Sequence, residues 1–296
     1  MPNAIQDINS VYKLVTARHG LMLANPNDFY IGKAIIDYGE YSEIELRLLL
    51  QLANIADSTV IEIGANIGTH TIPLAKLLEA RKVDLIAFEP QQFVFQNLCA
   101  NLALNNISNV RTLPLACGDE GRTVWYKSPD YKKSGNFGGI GMSEEKKEGI
   151  PAQSVQCIRL DDVLTNSKVS LLKIDVEGFE QKVLIGAQEL IKSNRPILYL
   201  ENSHDLPSSI ALIEYLWSLD YKLFWHCPKL YNPNNFFKNP INPYPTVASI
   251  NMLCLPKERE QNIQNLDEVI DSGFHPTLAK GTENDQGKYR KIFCDH

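Results

Sequence analysis

An α/β fold built on a mostly parallel sheet, with helices on both faces, is predicted by three observations. Val60, Ile61 and Ile63, then Leu85 to Phe88, Leu171 to Ile174 and Ile197 to Leu200, form short aliphatic runs with little alternation. Such runs suit strands covered on both faces. Helical patterns separate them, as crossover connections require. Carboxylates stand in or just after successive runs, at Glu62, Glu89, Asp119, and Asp175 with Glu177, and the carboxyl rim of an open parallel sheet is where ligands bind.

The 296 residues allow one large domain with additions. With 44% hydrophobic and 22% charged residues, the chain can bury a full core. A formal charge of -6 and no basic stripe argue against nucleic acid as the main partner. Six cysteines without a Cys-x-x-Cys pair read as buried thiols. No apolar run approaches the roughly 20 residues that cross a bilayer, and no leader pattern opens the chain. A cytoplasmic enzyme that uses neither membrane nor nucleic acid is the expectation, with a homo-oligomer left open.

Residues 1–37 mix Asn, Asp and aromatics and are expected to form a small cap. Ser42 is placed to cap a helix running to residue 52, whose leucines share a face. Tyr41 and Ser42 could instead close over a cofactor. The run ending at Ile63 breaks in Glu62-Ile-Gly-Ala-Asn-Ile-Gly-Thr69. Gly64 and Gly68 permit a tight turn, and Asn66 tolerates a left-handed backbone. The turn brings backbone N–H groups to a helix start, where a ligand can lie against the chain. Gly-Lys-Ser/Thr is missing, as is Gly-x-Gly-x-x-Gly. Glu62 beside the turn would repel a pyrophosphate and suits an ammonium or sulfonium.

A helix over 72–78 leads to the strand ending in Glu89-Pro90, and a carboxylate there can accept both hydroxyls of a ribose. A helix over 91–104 and a strand over 110–116 follow, with Asp119 on the same rim, where it could meet an adenine amine or simply make a turn. Residues 123–149, with four glycines between 135 and 141, read as a loop near the site. Asp161 and Asp162 are expected to N-cap a short helix.

Lys173-Ile-Asp-Val-Glu-Gly178 delivers Asp175 and Glu177 to the rim. They could orient a substrate hydroxyl, take its proton or share a divalent cation such as Mg²⁺. A helix over 180–191 and a strand over 197–200 follow, ending in Glu201-Asn-Ser-His204, and His204 is the best-placed histidine for a base. Asn202 falls just after a strand end and Asn251 lies in the last core strand, expected over 247–255; both are read as acceptor contacts. So is Asn235, in an Asn-, Pro- and aromatic-rich loop over 231–245. The alternative is that these asparagines only satisfy turns.

Glu62-x-Gly-x-Asn-x-Gly68 resembles motif I of class I S-adenosylmethionine-dependent methyltransferases. With Ala-Phe-Glu89-Pro and Leu-Lys-Ile-Asp175-Val-Glu177-Gly-Phe-Glu180, the chain resembles the FkbM family over residues 38–256. The resemblance implies a class I, Rossmann-like methyltransferase fold with a mostly parallel seven-stranded sheet. It implies S-adenosylmethionine as donor and, usually, O-methylation of a sugar or natural-product hydroxyl, although some relatives methylate side-chain amides. It places the methionine moiety near Glu62, Gly64, Asn66, Gly68 and Thr69, the ribose on Glu89, and chemistry near Asp175, Glu177 and His204, with a small-molecule or glycan acceptor. Residues 1–37 are then a cap, 38–256 the methyltransferase domain and 257–296 a peripheral tail. A cofactor-binding module without turnover is the reading from another class, and a nicotinamide oxidoreductase a distant third.

Overall fold

The computed structural model describes residues 5–9, 11–53, 55–81, 83–164, 167–202, 205–259 and 263–277. His204 therefore lies outside the described residues, as does most of the tail. In chain order the elements begin with strands Ile5–Asp7 (β1), Lys13–Ala17 (β2) and Gly20–Ala24 (β3), and helices Ile31–Tyr38 (α1) and Glu43–Leu52 (α2). Then come Thr59–Ile63 (β4), Thr71–Glu79 (α3), Asp84–Phe88 (β5), Gln92–Leu104 (α4), Val110–Leu113 (β6), Ala116–Cys117 (β7), Arg122–Lys127 (β8), Met142–Ser143 (β9) and Ala152–Ile158 (β10). The remainder is Leu160–Val163 (α5), Val169–Ile174 (β11), Glu180–Ile185 (α6), Gln188–Asn194 (α7), Ile197–Glu201 (β12), Leu206–Ser218 (α8), Tyr221–His226 (β13), Asn251–Pro256 (β14) and Asp267–Glu268 (β15).

The main sheet runs β15-β13-β14-β12-β11-β4-β5-β6. Strands β6, β5, β4, β11 and β12 are mutually parallel, and β14 inserts antiparallel between β12 and β13. Apart from the edge strand β15, this is a doubly wound order with one reversed strand near its end, as a class I methyltransferase fold has. The order in which strands are added to the sheet reverses between β4 and β11, so the ligand crevice falls at their carboxyl ends. One face of the sheet packs Ile61, Ile63, Leu172 and Ile174 against α6, α7 and α8. The other packs Val60, Leu85 and Leu171 against α2 and α3. Since side chains alternate along a strand, Glu62 and Lys173 share the second face, and they are cross-strand neighbours.

Four local expectations are corrected. Residues 110–116 are not one strand: Pro114 follows β6, offers no N–H, and the chain leaves the main sheet so that β7 pairs with β10 in a separate sheet. The helix expected over 180–191 divides at Gly186. A Cβ there would sit 1.8 Å from the Gly118 carbonyl oxygen, so close approach to the small sheet sets the break. Asp161 caps α7 rather than its own helix, accepting from the Glu189 and Leu190 N–H groups. Ser42 stands before α2 in a left-handed conformation, and its hydroxyl donates to Glu45 instead of accepting a backbone N–H.

The N-terminal strands form a three-stranded antiparallel sheet joined to α4 by asparagines four residues apart. Asn105 and Asn101 accept the N–H groups of Leu21 and Leu23, and Asn105 donates back to the Leu21 carbonyl. Side-chain amides thus satisfy the free edge of β3 as a further strand would.

Candidate active site

At the carboxyl rim of β4, β5, β11 and β12 lies a cavity of about 310 Å³, at the lower end of the range for small-molecule sites. Its base is the turn after β4. Gly64, Asn66 and Gly68 all take positive φ, at 86°, 49° and 90°, as the turn chemistry predicts. Gly64 is also a close approach, because a Cβ there would lie 1.8 Å from the Asp175 carbonyl oxygen. The turns after β4 and β11 are therefore in contact. Over them fold Tyr30 and Ile31 from the N-terminal segment and Gly138 and Gly139 from the glycine-rich loop. Those two segments are stitched together through the Phe29 N–H to Gly135 carbonyl and Gly135 N–H to Asn27 carbonyl bonds.

Glu89 is 3% exposed. Its Oε2 accepts the Asn66 N–H at 3.0 Å and its Oε1 the Gln91 N–H at 2.8 Å. Burial pushes its pKa up to about 7 against those two bonds. The carboxylate is thereby held in one orientation at the cavity.

Glu62 is buried and already engaged. Its Oε2 accepts the Thr71 hydroxyl at 2.7 Å, and its Oε1 is 3.7 Å from Lys173 Nζ. Lys173 also lies 3.3 Å from Asp175 Oδ2. Burial opposes the charge on Lys173, but Asp175, Glu62 and Glu45 outweigh it and raise the pKa. Glu45, from α2, is pushed up to about 7 by burial. The carboxylate read as a partner for a ligand cation thus has the protein's own ammonium beside it.

Asp175, Glu177 and Glu201 line the same cavity. Their carboxylate oxygens lie within 4.8 Å of one another, the one such group of potential metal ligands among the described residues. Hard oxygen donors of this kind suit Mg²⁺ or Ca²⁺. Glu177 takes a left-handed backbone, φ 52°, with Gly178 following at 93°, which turns the chain sharply enough to bring both carboxylates of this stretch to one place.

The structure brings together Tyr41, Glu62, Gly64, Asn66, Thr69, Glu89, Asp175, Glu177 and Asn251 along the cavity, but not Ser42, Gly68, Asp119, Asn202 or Asn235. Gly68 faces Leu98. Asp119 pairs with Arg122 at 2.5 Å, because the chain has left the main sheet before reaching it. Asn202 is buried, with its N–H on the Ile250 carbonyl. Asn235 is fully buried and holds its own loop, donating to the carbonyls of Asn232 and Asn239 and accepting the Asn239 N–H.

Two features escape a reading of the sequence. The first is His70, 4% exposed on the cavity wall, with its ring Nε2 buried and without a hydrogen-bond partner among the described residues. Burial, with Lys173 nearby, pushes its pKa well below the ordinary value, so the ring is neutral. It follows Glu62-x-Gly-x-Asn-x-Gly68 without being one of the residues that motif specifies, and only its orphaned burial marks it. The second is an apolar recess that shares Gly64, Glu89 and Asp175 with the cavity and is lined by Leu115, Ala116, Ile140, Met142 and Phe179. These come from three separate segments, so no local pattern announces them.

The model of the methyltransferase FkbM domain matches residues 62–223, more than half of the chain. The chain belongs to the FkbM methyltransferase family. Methyltransferase sdnD of Sordaria araneosa is 28% identical over 178 residues, 50% of this chain and 68% of that protein. The hexuronic acid methyltransferase AglP of Haloferax volcanii is 27% identical over 154 residues, 50% of this chain and 57% of that protein. A solved FkbM methyltransferase from Methylobacillus flagellatus KT superposes with a TM-score of 0.44 at 18% identity, covering 68% of this chain and 44% of that one. No helix among the described residues of this FkbM methyltransferase is long and apolar enough to cross a membrane.

Proposed function

We propose that this FkbM-family chain transfers the methyl group of S-adenosylmethionine to a neutral hydroxyl of a sugar, glycan or secondary metabolite. The observation that carries the reading is Glu89. Two backbone N–H groups orient its carboxylate beside the glycine turn, leaving lone pairs for the two vicinal hydroxyls of a ribose. The turn from Gly64 to Thr69, with the unpartnered Nε2 of His70, would hold the methionine moiety. The apolar recess beside Glu89 would take the adenine, in place of Asp119.

When bound, the donor supplies a methyl carbon already activated by a sulfonium. The chain's own work is alignment and proton removal. The acceptor oxygen bonds to the methyl carbon as the carbon–sulfur bond breaks, and the hydroxyl proton passes to a carboxylate of the Asp175, Glu177 and Glu201 group. A relative that acts on hexuronic acid supports a sugar acceptor. Lys173 is the single lysine or arginine among the described lining residues, and it faces Glu62 and Asp175. That favours a neutral hydroxyl over a uronate carboxylate.

Calorimetry should show binding of S-adenosylmethionine and S-adenosylhomocysteine that Glu89→Ala weakens about a hundredfold, the loss of two charge-assisted hydrogen bonds. Binding of neither would overturn the reading. A mass-spectrometric panel of neutral glycosides, hexuronates and Asn-containing peptides should return methylated glycosides. Methylation confined to an amide nitrogen or a carboxylate removes the hydroxyl assignment. The three clustered carboxylates favour a second reading in which Mg²⁺ bound to them acidifies the hydroxyl. Activity lost in chelator and restored by magnesium is its expected result, and activity indifferent to chelator removes it.

A further inference from the structure

A buried hydrogen-bond chain leads into the cavity from the side opposite the glycine turn. Tyr199 on β12 is 1% exposed. Its hydroxyl lies 2.8 Å from His226 Nδ1 on β13 and 2.7 Å from Asn251 Nδ2 on β14. Asn251 lines the cavity, and in the sheet it pairs with Glu201 on one side and His226 on the other. Its remaining amide atom meets no protein partner among the described residues, and it is not among the atoms sealed from solvent. That atom faces the cavity.

The polarity of the chain decides which atom it is. A phenol O–H is a stronger donor than a neutral imidazole N–H, and an imidazole nitrogen is a stronger acceptor than a phenol oxygen. Burial holds His226 neutral, with its pKa pushed down to about 4, so Nδ1 can accept while Nε2 keeps the proton. Tyr199 then donates to His226, and its one hydrogen is used. Toward Asn251 the phenol oxygen can only accept, so it must meet the amide NH₂, and the carbonyl Oδ1 is left for the cavity.

We infer that the His226–Tyr199 pair fixes the amide of Asn251 so that its carbonyl oxygen selects an acceptor presenting a hydrogen-bond donor beside Glu201. Asn251 is then a specificity-determining residue, and Tyr199 and His226 are positioning residues acting through it. The inference rests on the methyl-transfer reading for the identity of the bound molecule, but its polarity argument stands apart from turnover. A buried acceptor of this kind rejects a molecule lacking the matching donor, because the carbonyl would be left without a partner.

The test uses the full chain. Long-range ¹H–¹⁵N spectra at pH 7, with His226 assigned by difference against His226→Gln, should show the Nε2–H tautomer with Nδ1 as a hydrogen-bond acceptor. The Nδ1–H tautomer would reverse the chain, turn Nδ2 to the cavity and overturn the inference. With S-adenosylmethionine and a panel of methyl hexopyranosides, Tyr199→Phe frees the amide to rotate. It should raise KM for the methylated glycoside about tenfold at similar kcat, equivalent to one well-formed hydrogen bond, and leave Kd for S-adenosylhomocysteine within about twofold. An unchanged KM, or an equal loss of S-adenosylhomocysteine affinity, also overturns it. If the wild-type chain methylates no glycoside, the hydroxyl reading fails and the tautomer alone decides this inference.

Discussion

Asn66 and Asn235 stand in two loops at the same carboxyl rim of the sheet and are used in opposite ways. Asn66 serves through its backbone, with a left-handed φ of 49° and its N–H given to Glu89. Asn235 serves through its side chain, and every contact that amide makes is within its own loop. Around it Asn232, Asn239 and Asn242 also accept N–H groups two residues ahead, the habit of asparagine in turns. Glu40 secures this loop from outside, accepting from Asn232, Phe236 and Arg18. The glycine turn presents its backbone to the cavity, whereas the asparagine-rich loop spends its amides on holding itself. A polar loop beside a cavity is therefore no sign of recognition until its own hydrogen bonds are accounted for.

The sharpest way to break this comparison is Gly64→Ala. The new methyl would fall within 1.8 Å of the Asp175 carbonyl oxygen at φ 86°, so β4 and β11 must part. We expect a loss of about 4 kcal/mol or failure to fold. Asn66→Gly keeps the backbone and should cost under about 1 kcal/mol. Urea denaturation of the pair checks this, and a mild Gly64→Ala phenotype would mean that the two turns are not locked together.

Next in size is the pH dependence around Glu89. In the unfolded chain its proton leaves near 4.5, and in the folded one burial keeps it to about 7. Between those values the folded state binds more protons, so stability falls as pH rises and the loss is complete above pH 7. Glu89→Gln removes that slope, worth up to roughly 3 kcal/mol. Comparing unfolding midpoints at pH 5 and pH 8 tests it, and parallel behaviour of the two proteins would contradict a proton held by burial. A donor whose ribose needs the ionised carboxylate should bind more weakly at pH 6 than at pH 8.

Below the effect at Glu89 comes Asn235→Ala, expected to cost about 2 kcal/mol of stability from a buried amide with three hydrogen bonds, with Kd for S-adenosylhomocysteine unchanged. Unchanged stability together with lost turnover would instead make Asn235 an acceptor contact and dissolve the contrast between the loops.

What the sequence determined by itself was the part of the site made of neighbours in the chain. The turn conformations of Gly64, Asn66 and Gly68, the strand ending at Glu89, and the paired Asp175 and Glu177 follow from local sterics, chain direction and the period of a strand. Those short-range constraints act wherever the residues are placed. The order of the sheet, and with it the contact between the turns after β4 and β11, came from tertiary packing. So did the pairing of Glu62 with Lys173, the exit of Asp119 from the main sheet at Pro114, and the gathering of Glu201 beside Asp175 and Glu177. A charged or polar side chain takes its role from the partner that shares its desolvated space, and that partner lies 215 residues away for Tyr244, whose hydroxyl donates to the Phe29 carbonyl. Tyr199, an ordinary residue in an apolar strand, becomes the centre of a polar chain only because β13 and β14 fold back beside β12 and bring His226 and Asn251 to its hydroxyl.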